Sequence, residues 1–202
     1  MKLEPEKRKK ILDAAYQEFT QHGYEYASTN RIVKKANIAK GMLFYYFNSK
    51  KELFHYLISS GIDYMLNEYF NKIDERETDF IEKYRQMARI KMESYIENPH
   101  IFHFLGTVYV NELDKLPDEL KKRLFDVRNL AYTKTFDNID KSLFREDMDP
   151  DDVIKLIYLT LLGYEKQLVE RLKNQDMANM DYTSYWEEYD KILDLLKKVY
   201  YK

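Results

Sequence analysis

The sequence predicts an all-α fold of about nine helices. Three observations carry that reading. Helix formers dominate, and only five Gly and four Pro occur in 202 residues. Apolar residues recur at three- and four-residue spacing, and no alternating strand pattern stands out. Capping residues and helix breakers fall mostly between the periodic stretches.

The first predicted helix runs from Pro5 to His22. Pro5 suits a helix start, where a missing N–H does no harm. Ile11, Leu12, Ala15 and Phe19 form the inward stripe, and Gly23 is the expected stop. Two short helices follow, over about Thr29 to Ala36 and Lys40 to Phe47. The Ser28 hydroxyl is the expected N-cap of the former. Ile32, Val33 and Ala36 share its apolar face, Asn37 suits the left-handed position that ends it, and Ile38 plugs inward. In the latter, Leu43 and Phe47 face inward at i, i+4. Lys40, Met42, Tyr45 and Tyr46 then point elsewhere, because so many aromatics cannot all fit a core this small.

Asn48-Ser49 opens a long helix, with Ser49 and Glu52 as a capping box. Leu53, Leu57, Ile58, Met65, Leu66, Tyr69 and Phe70 continue its apolar face past the interior Gly61. The next helix spans Thr78 to Glu97, with Phe80, Ile81, Tyr84, Met87, Ala88, Met92 and Tyr95 inward, and Pro99 breaks it. A short helix follows through Val110. Leu116-Pro117-Asp118 starts another, expected to reach about Phe144. Asp149-Pro150-Asp151 starts one that continues to about Lys173, with acids at the dipole's favourable end. The polar stretch Asn174 to Asp181 reads as a loop. The last helix begins at Tyr182 or Thr183.

An outward-facing basic and aromatic helix behind a tight turn is what a helix-turn-helix requires. Its first residues enter a DNA major groove while neighbouring side chains bind phosphates. Charge agrees. Residues 1–50 hold ten Lys/Arg against five Asp/Glu, and the remainder holds 23 against 30. A basic head on an acidic body turns one end toward a polyanion. Lys7, Arg8, Lys9 and Lys10 leave two readings open, contact with the DNA backbone or a solvated basic end.

The pattern extends well beyond the turn. Ile11 to Phe19, Gly23, Ser28, Ile32, Ala36, Ile38, Lys40-Gly41, Leu43 to Phe47 and Ser49 to Leu53 fall in one register. Together they resemble the N-terminal domain of the TetR family of bacterial transcriptional regulators, in motif detail over roughly the first 55 residues. Further on, only length and helical layout match. The resemblance implies a DNA-binding domain over residues 1–50, a connecting helix reaching about 70, and a regulatory ligand-binding and dimerisation domain over 51–202. Carried over by position, it implies Asn30, Lys40, Gly41, Met42 and Tyr45 at base edges. It implies Ser28 or Thr29, Tyr46 and Lys50 on phosphates. Phe44 departs from the usual Tyr and loses a hydroxyl. Met42 departs from the usual small or hydroxylated residue, so the operator sequence stays open.

The resemblance further implies a ligand-responsive homodimeric repressor of a palindromic operator. Its partners would be double-stranded DNA, a second copy of itself and a small hydrophobic effector, of aromatic or cationic character given the many Tyr faces. The alternative is a helical ligand-binding or protein-interaction module without specific DNA binding. The absence of cysteine fits a reducing cytoplasm. No apolar run approaches the ~18 residues of a membrane span, so no membrane partner is expected. The N-terminal residues lack the apolar centre of a secretion signal.

The last two helices carry a second signal. Between Val153 and Leu168 apolar residues lie nearly all round, so that helix buries more than one face. Gly163 inside it costs ~1 kcal/mol against Ala, which the close approach of another helix would justify. The final helix has one stripe at Tyr185, Tyr189, Ile192, Leu196 and Val199 and another at Trp186, Leu193 and Tyr200. One stripe can pack on its own core and the other can meet a partner in the four-helix bundle that the resemblance implies; the alternative is a larger core within the chain. The expected dimer face comprises Ile157, Leu161, Gly163, Leu168, Trp186, Leu193 and Leu196. Phe102, Phe104, Tyr109, Tyr132, Phe136, Tyr158 and Tyr164 are the candidates for an effector pocket, each with core packing as the plainer role.

Four His, no Cys and no nucleophile-elbow, zinc-helix or phosphate-loop pattern leave no catalytic constellation, and neither cofactor nor metal is expected. His100 and His103 are spaced to share a helix face. Two imidazoles need further ligands, for which Glu97 and Glu112 are only loose candidates.

Overall fold

Start and stop signals set nine α-helices among the residues that the computed structural model describes, 5–172 and 181–202, with the side chains at 5 and 169 excepted. They are α1 (Pro5–Tyr26), α2 (Thr29–Ala36), α3 (Lys40–Tyr46), α4 (Lys50–Tyr64), α5 (Phe80–Glu97), α6 (Pro99–Asn111), α7 (Asp118–Phe136), α8 (Pro150–Leu172) and α9 (Thr183–Tyr200). No strand occurs among the described residues. The expected loop from Asn174 lies, as far as Met180, outside them, as does Lys173.

Local chemistry explains most boundaries. Gly23 breaks α1 with φ 66° and ψ 177°, and one more turn follows to Tyr26. Asn37 ends α2 in the left-handed region at φ 53° and ψ 51°. The Ser49 hydroxyl accepts the Glu52 N–H at 3.1 Å, and the Glu52 carboxylate takes the Asn48 N–H at 3.2 Å. Two expectations fail. The long helix keeps α geometry only to Tyr64, then widens to a π turn over Met65–Tyr69 and tightens to a 3₁₀ turn over Phe70–Lys72. Helix α7 stops at Phe136 rather than Phe144, because Asn138 turns left-handed at φ 59° and Asp140 caps a separate turn.

The chain forms two units. One comprises Met1–Lys72 and Glu93–Ala131. Its core gathers Ile11, Ala15 and Phe19 of α1, Ile32 and Ala36 of α2, Leu43 of α3, Leu53, Leu57 and Ile58 of α4, and Ile101, Phe104 and Val108 of α6. Phe104 lies at the centre, with ring centroids at 5.1 Å from Tyr16, 5.6 Å from Phe54 and 6.4 Å from Phe19. The interior Gly61 has a packing reason, since a Cβ there would stand 3.2 Å from Leu105 on α6.

The other unit comprises Ile73–Met92 and Tyr132–Lys202. Phe80, Ile81, Val153, Ile157, Leu161 and Leu193 are wholly buried in it. Asp79 caps α5 by accepting the Ile81 N–H at 2.9 Å, and it also takes Lys197 and the Tyr201 hydroxyl, each at 2.7 Å. The last residues are tied by the Arg145 N–H to the Tyr200 carbonyl at 2.9 Å and the Lys202 N–H to the Leu143 carbonyl at 3.1 Å.

Candidate nucleic-acid interface

Helix α3 is seven residues long and cannot hold itself in water. Leu43 and Phe47, 1% and 3% exposed, anchor it to the core of its unit, and Phe47 packs on Tyr56 with centroids 5.2 Å apart. Ile32, Val33 and Ala36 anchor α2 in the same way. The turn between them is closed by the Ile38 N–H, which donates to the Val33 carbonyl at 3.0 Å.

With those side chains turned in, the remainder turns out. Lys40, Gly41 and Tyr45 are exposed, Tyr45 by 80%, and Met42 is half-buried. Tyr46 is half-buried against the core and meets Tyr45 edge to face at 5.0 Å. The Lys40 ammonium lies 5.9 Å from the Phe44 ring, so the ring that lost a phosphate-binding hydroxyl still supports a cation. On α2, Asn30 is exposed and Thr29 half-buried.

Two expected roles change. The half-buried Ser28 makes no side-chain cap; its own N–H donates to Glu18 Oε1 at 2.8 Å instead. Lys50 does not reach outward. Its ammonium donates to the carbonyls of Tyr24 at 2.8 Å, Glu25 at 3.0 Å and Ala27 at 3.2 Å, and sits 4.8 Å from the Tyr24 ring.

Glu18 is buried at 6% exposure and also accepts Arg31 Nε–H at 2.8 Å. Burial by itself would raise its pKa, but the bonds from Arg31 and Ser28 outweigh that and hold it below the ordinary carboxylate range. The sequence reading missed Glu18 and Arg31, because their pairing depends on how the chain turns between residues 23 and 28. It also passed over Lys34 and Lys35, exposed in the last turn of α2, although an adjacent basic pair was there to be read.

Gly41 is instructive. Its φ is unremarkable, and among the described residues nothing lies within 4 Å of where a Cβ would stand. The chain itself has no need of glycine there. Gly41→Ala is therefore expected to leave the thermal midpoint unchanged or to raise stability by up to ~1 kcal/mol. If the missing side chain serves the groove, operator affinity falls about tenfold. Calorimetric melting and fluorescence anisotropy check the two halves, and unchanged affinity would remove Gly41 from the interface.

The other candidates divide between the two units. Phe104 is sealed in its core, 1% exposed, and has no face left for a ligand. Phe102 packs on Tyr64, Tyr69 and Tyr95, and Tyr109 packs on Phe125 and takes a hydrogen bond from Arg128. In the other unit, Phe136 bridges Tyr132 at 4.7 Å and Tyr158 at 5.3 Å, while Tyr164 stacks on Tyr189 at 5.6 Å. The half-buried His100 shares a hydrogen bond with Gln17, and the exposed His103 shares one with Tyr95.

Of the expected dimer face, Ile157, Leu161 and Leu193 are 0% exposed within the single chain and offer a partner no surface. Leu168, Trp186 and Leu196 are half-buried. Around Gly163 no described atom lies within 4 Å of an added Cβ, so no other helix among the described residues explains the glycine. The apolar surface that is open belongs to neighbouring positions, with Leu156 at 44%, Leu159 at 52%, Leu162 at 48%, Leu195 at 61% and Val199 at 45% exposure.

A short exposed helix, fixed from behind and presented with a second helix across a left-handed turn, defines a helix-turn-helix DNA-binding regulator. Residues 11–57 match the family model of bacterial regulatory proteins, tetR family. A relative, the HTH-type transcriptional regulator YhgD of Bacillus subtilis, is 27% identical over 80% of this chain and 86% of its own length. The HTH-type transcriptional repressor KstR2 of Mycobacterium tuberculosis is 24% identical over 75% of this chain and 76% of its own. A TetR family transcriptional regulator from Chloroflexus aurantiacus shares the fold at TM-score 0.71 and 23% identity, covering 100% of this chain and 96% of that one. Residues 11–57 thus carry a DNA-binding domain of the tetR family type, and the rest of the chain shares the fold of TetR family regulators.

Proposed function

We propose that the chain represses transcription as a homodimer on a palindromic operator and is released by a hydrophobic small molecule. The observation that carries this reading is α3, whose Leu43 and Phe47 are buried while Lys40, Gly41 and Tyr45 stand exposed. Residues 1–50 bind DNA, and residues 51–202 bind the effector and dimerise. Asn30, Lys40, Gly41, Met42 and Tyr45 read base edges, while Thr29 and Tyr46 lie along phosphates. Lys34 and Lys35 add charge to the same head.

The partner surface is the outward face of α8 and α9, built on Leu156, Leu159, Leu162, Leu195 and Val199. An exposed interior glycine amid large apolar residues supports a second helix close to Gly163. A two-fold dimer sets its recognition helices about one DNA turn, ~34 Å, apart and reads a palindrome. Aromatic clusters around Phe136 and around Phe102 support a hydrophobic effector. So does the relative KstR2, whose solved structure is described as a ketosteroid transcriptional regulator. Effector and operator are coupled reciprocally, so a ligand that loosens DNA is itself loosened by DNA to the same degree. The protein acts in the cytoplasm; no helix among the described residues is long and apolar enough to cross a membrane.

Selection of bound fragments from random duplex DNA at physiological salt tests the proposal. A palindrome with half-sites about one helical turn apart is the expected result. Salt-sensitive binding without sequence preference, from protein shown by mass spectrometry to carry no ligand, would favour a module that does not read DNA.

A further inference from the structure

The corner between α1 and α2, residues 23–28, carries the start of the helix-turn-helix. Its main chain is the single turn that ends α1 behind the Gly23 break and the two non-helical residues after it, so its terminal polar groups need partners from elsewhere. Charged side chains from four segments supply them. From α1, Glu18 accepts the Ser28 N–H. From α2, Arg31 donates to the Tyr26 carbonyl at 2.7 Å while pairing with Glu18. From the first residue of α4, Lys50 donates to the carbonyls of Tyr24, Glu25 and Ala27. From the end of α6, the buried Glu112 accepts the Tyr24 N–H at 3.3 Å and pairs with Lys115 at 3.1 Å.

Lys50 is the surprising member. An ammonium has three N–H bonds, and here all three are directed at main-chain oxygens. None is left for a phosphate. Its half-buried position against the Tyr24 ring further separates it from the exposed Lys34, Lys35 and Lys40. Glu112 matters for a different reason, since it lies far outside the residues that match the family's DNA-binding region.

We propose that Lys50, Glu18 and Glu112 are positioning residues that clamp the α1–α2 corner and thereby set the orientation of the recognition helix, and that Lys50 is not a phosphate ligand. The proposal rests on the DNA-binding reading above. It predicts which substitutions change affinity without changing the number of ions released on binding.

The test uses the full chain and the operator selected by the wild-type protein. Lys50→Met removes the ammonium and keeps the stem. Lys50→Arg keeps the charge, but a planar fork cannot direct three N–H bonds at three converging carbonyls. Both variants are expected to bind the operator about tenfold more weakly, with the slope of log K against log salt unchanged. Lys40→Met is the comparator and lowers that slope by about one per site. Glu112→Ala gives an opposed sign. Loss of an acidic charge strengthens DNA binding if only the long-range field acts, whereas loss of a clamp weakens it.

Wild-type affinity in Lys50→Arg, together with a lower slope in Lys50→Met, would return Lys50 to the phosphate set and overturn the proposal. Unchanged or tighter binding by Glu112→Ala would overturn it as well, and decides the matter if Lys50→Met does not fold. Amide hydrogen exchange at Tyr24 and Ser28, read without DNA, separates the clamp from the DNA-binding reading. Faster exchange in the Lys50 and Glu112 variants supports the clamp even if no operator is recovered, and unchanged exchange overturns it.

Discussion

Leu159→Glu is expected to convert the protein to monomers at micromolar concentration and to abolish tight operator binding. Leu159 is half exposed on α8, in line with Leu156 and Leu162 and one turn from Gly163. In a two-fold interface each substitution occurs twice, and the two new carboxylates face the same apolar surface. Burying one unpaired charge costs on the order of 3–5 kcal/mol. Two copies exceed what a dimer of ordinary affinity can lose and still assemble at micromolar concentration. Because the side chain is solvated in the single chain, the monomer should fold normally. Sedimentation velocity reads the mass, and far-UV circular dichroism reads the fold. Residual DNA binding should show about half the wild-type salt dependence, since one recognition head releases half the counterions of two. A dimer that survives with wild-type sedimentation would place the interface elsewhere.

The choice of Leu159 over Leu161 shows where the sequence stops being informative. A helix that is apolar nearly all round announces that it buries two faces, but not which face belongs to its own chain. That is decided by α5 and α9 packing against Val153, Ile157 and Leu161. The boundaries were easier to read because their causes are local. Asn37 turns left-handed, Gly23 breaks α1, and Ser49 with Glu52 caps α4, each through contacts within four residues. The same locality explains two contacts that lay beyond it. The Ser28 hydroxyl was the expected local cap, but it makes no cap bond, and the Ser28 N–H goes to a carboxylate ten positions earlier. The resemblance put Lys50 on phosphates, and the three carbonyls that it meets within the chain lie more than twenty residues back. The inward and outward sides of α3 were legible from Leu43 and Phe47 alone, since a seven-residue helix has room for only one buried stripe.

Tyr45→Ala tests that outward side most directly. Tyr45 is 80% exposed, and its described ring contact is an edge-to-face approach to Tyr46. Removing it should change the thermal midpoint little, because exposed substitutions away from caps and cores usually fall within about 0.5 kcal/mol. Its effect on DNA should be large if the ring and hydroxyl meet base edges. A good base contact is worth roughly 1–3 kcal/mol, and a symmetric dimer makes it twice. Operator affinity should therefore fall by between about thirtyfold and about twenty-thousandfold. Binding to random duplex should fall far less, because the substitution removes no charge. For the same reason the salt slope on the operator should match that of the wild type. Equal losses on operator and random DNA would move Tyr45 to the sugar–phosphate backbone and leave Asn30, Lys40 and Met42 to read the sequence. Titrations of both duplexes at three salt concentrations resolve the two arrangements, since base readout changes the intercept for one duplex and backbone contact changes it for both.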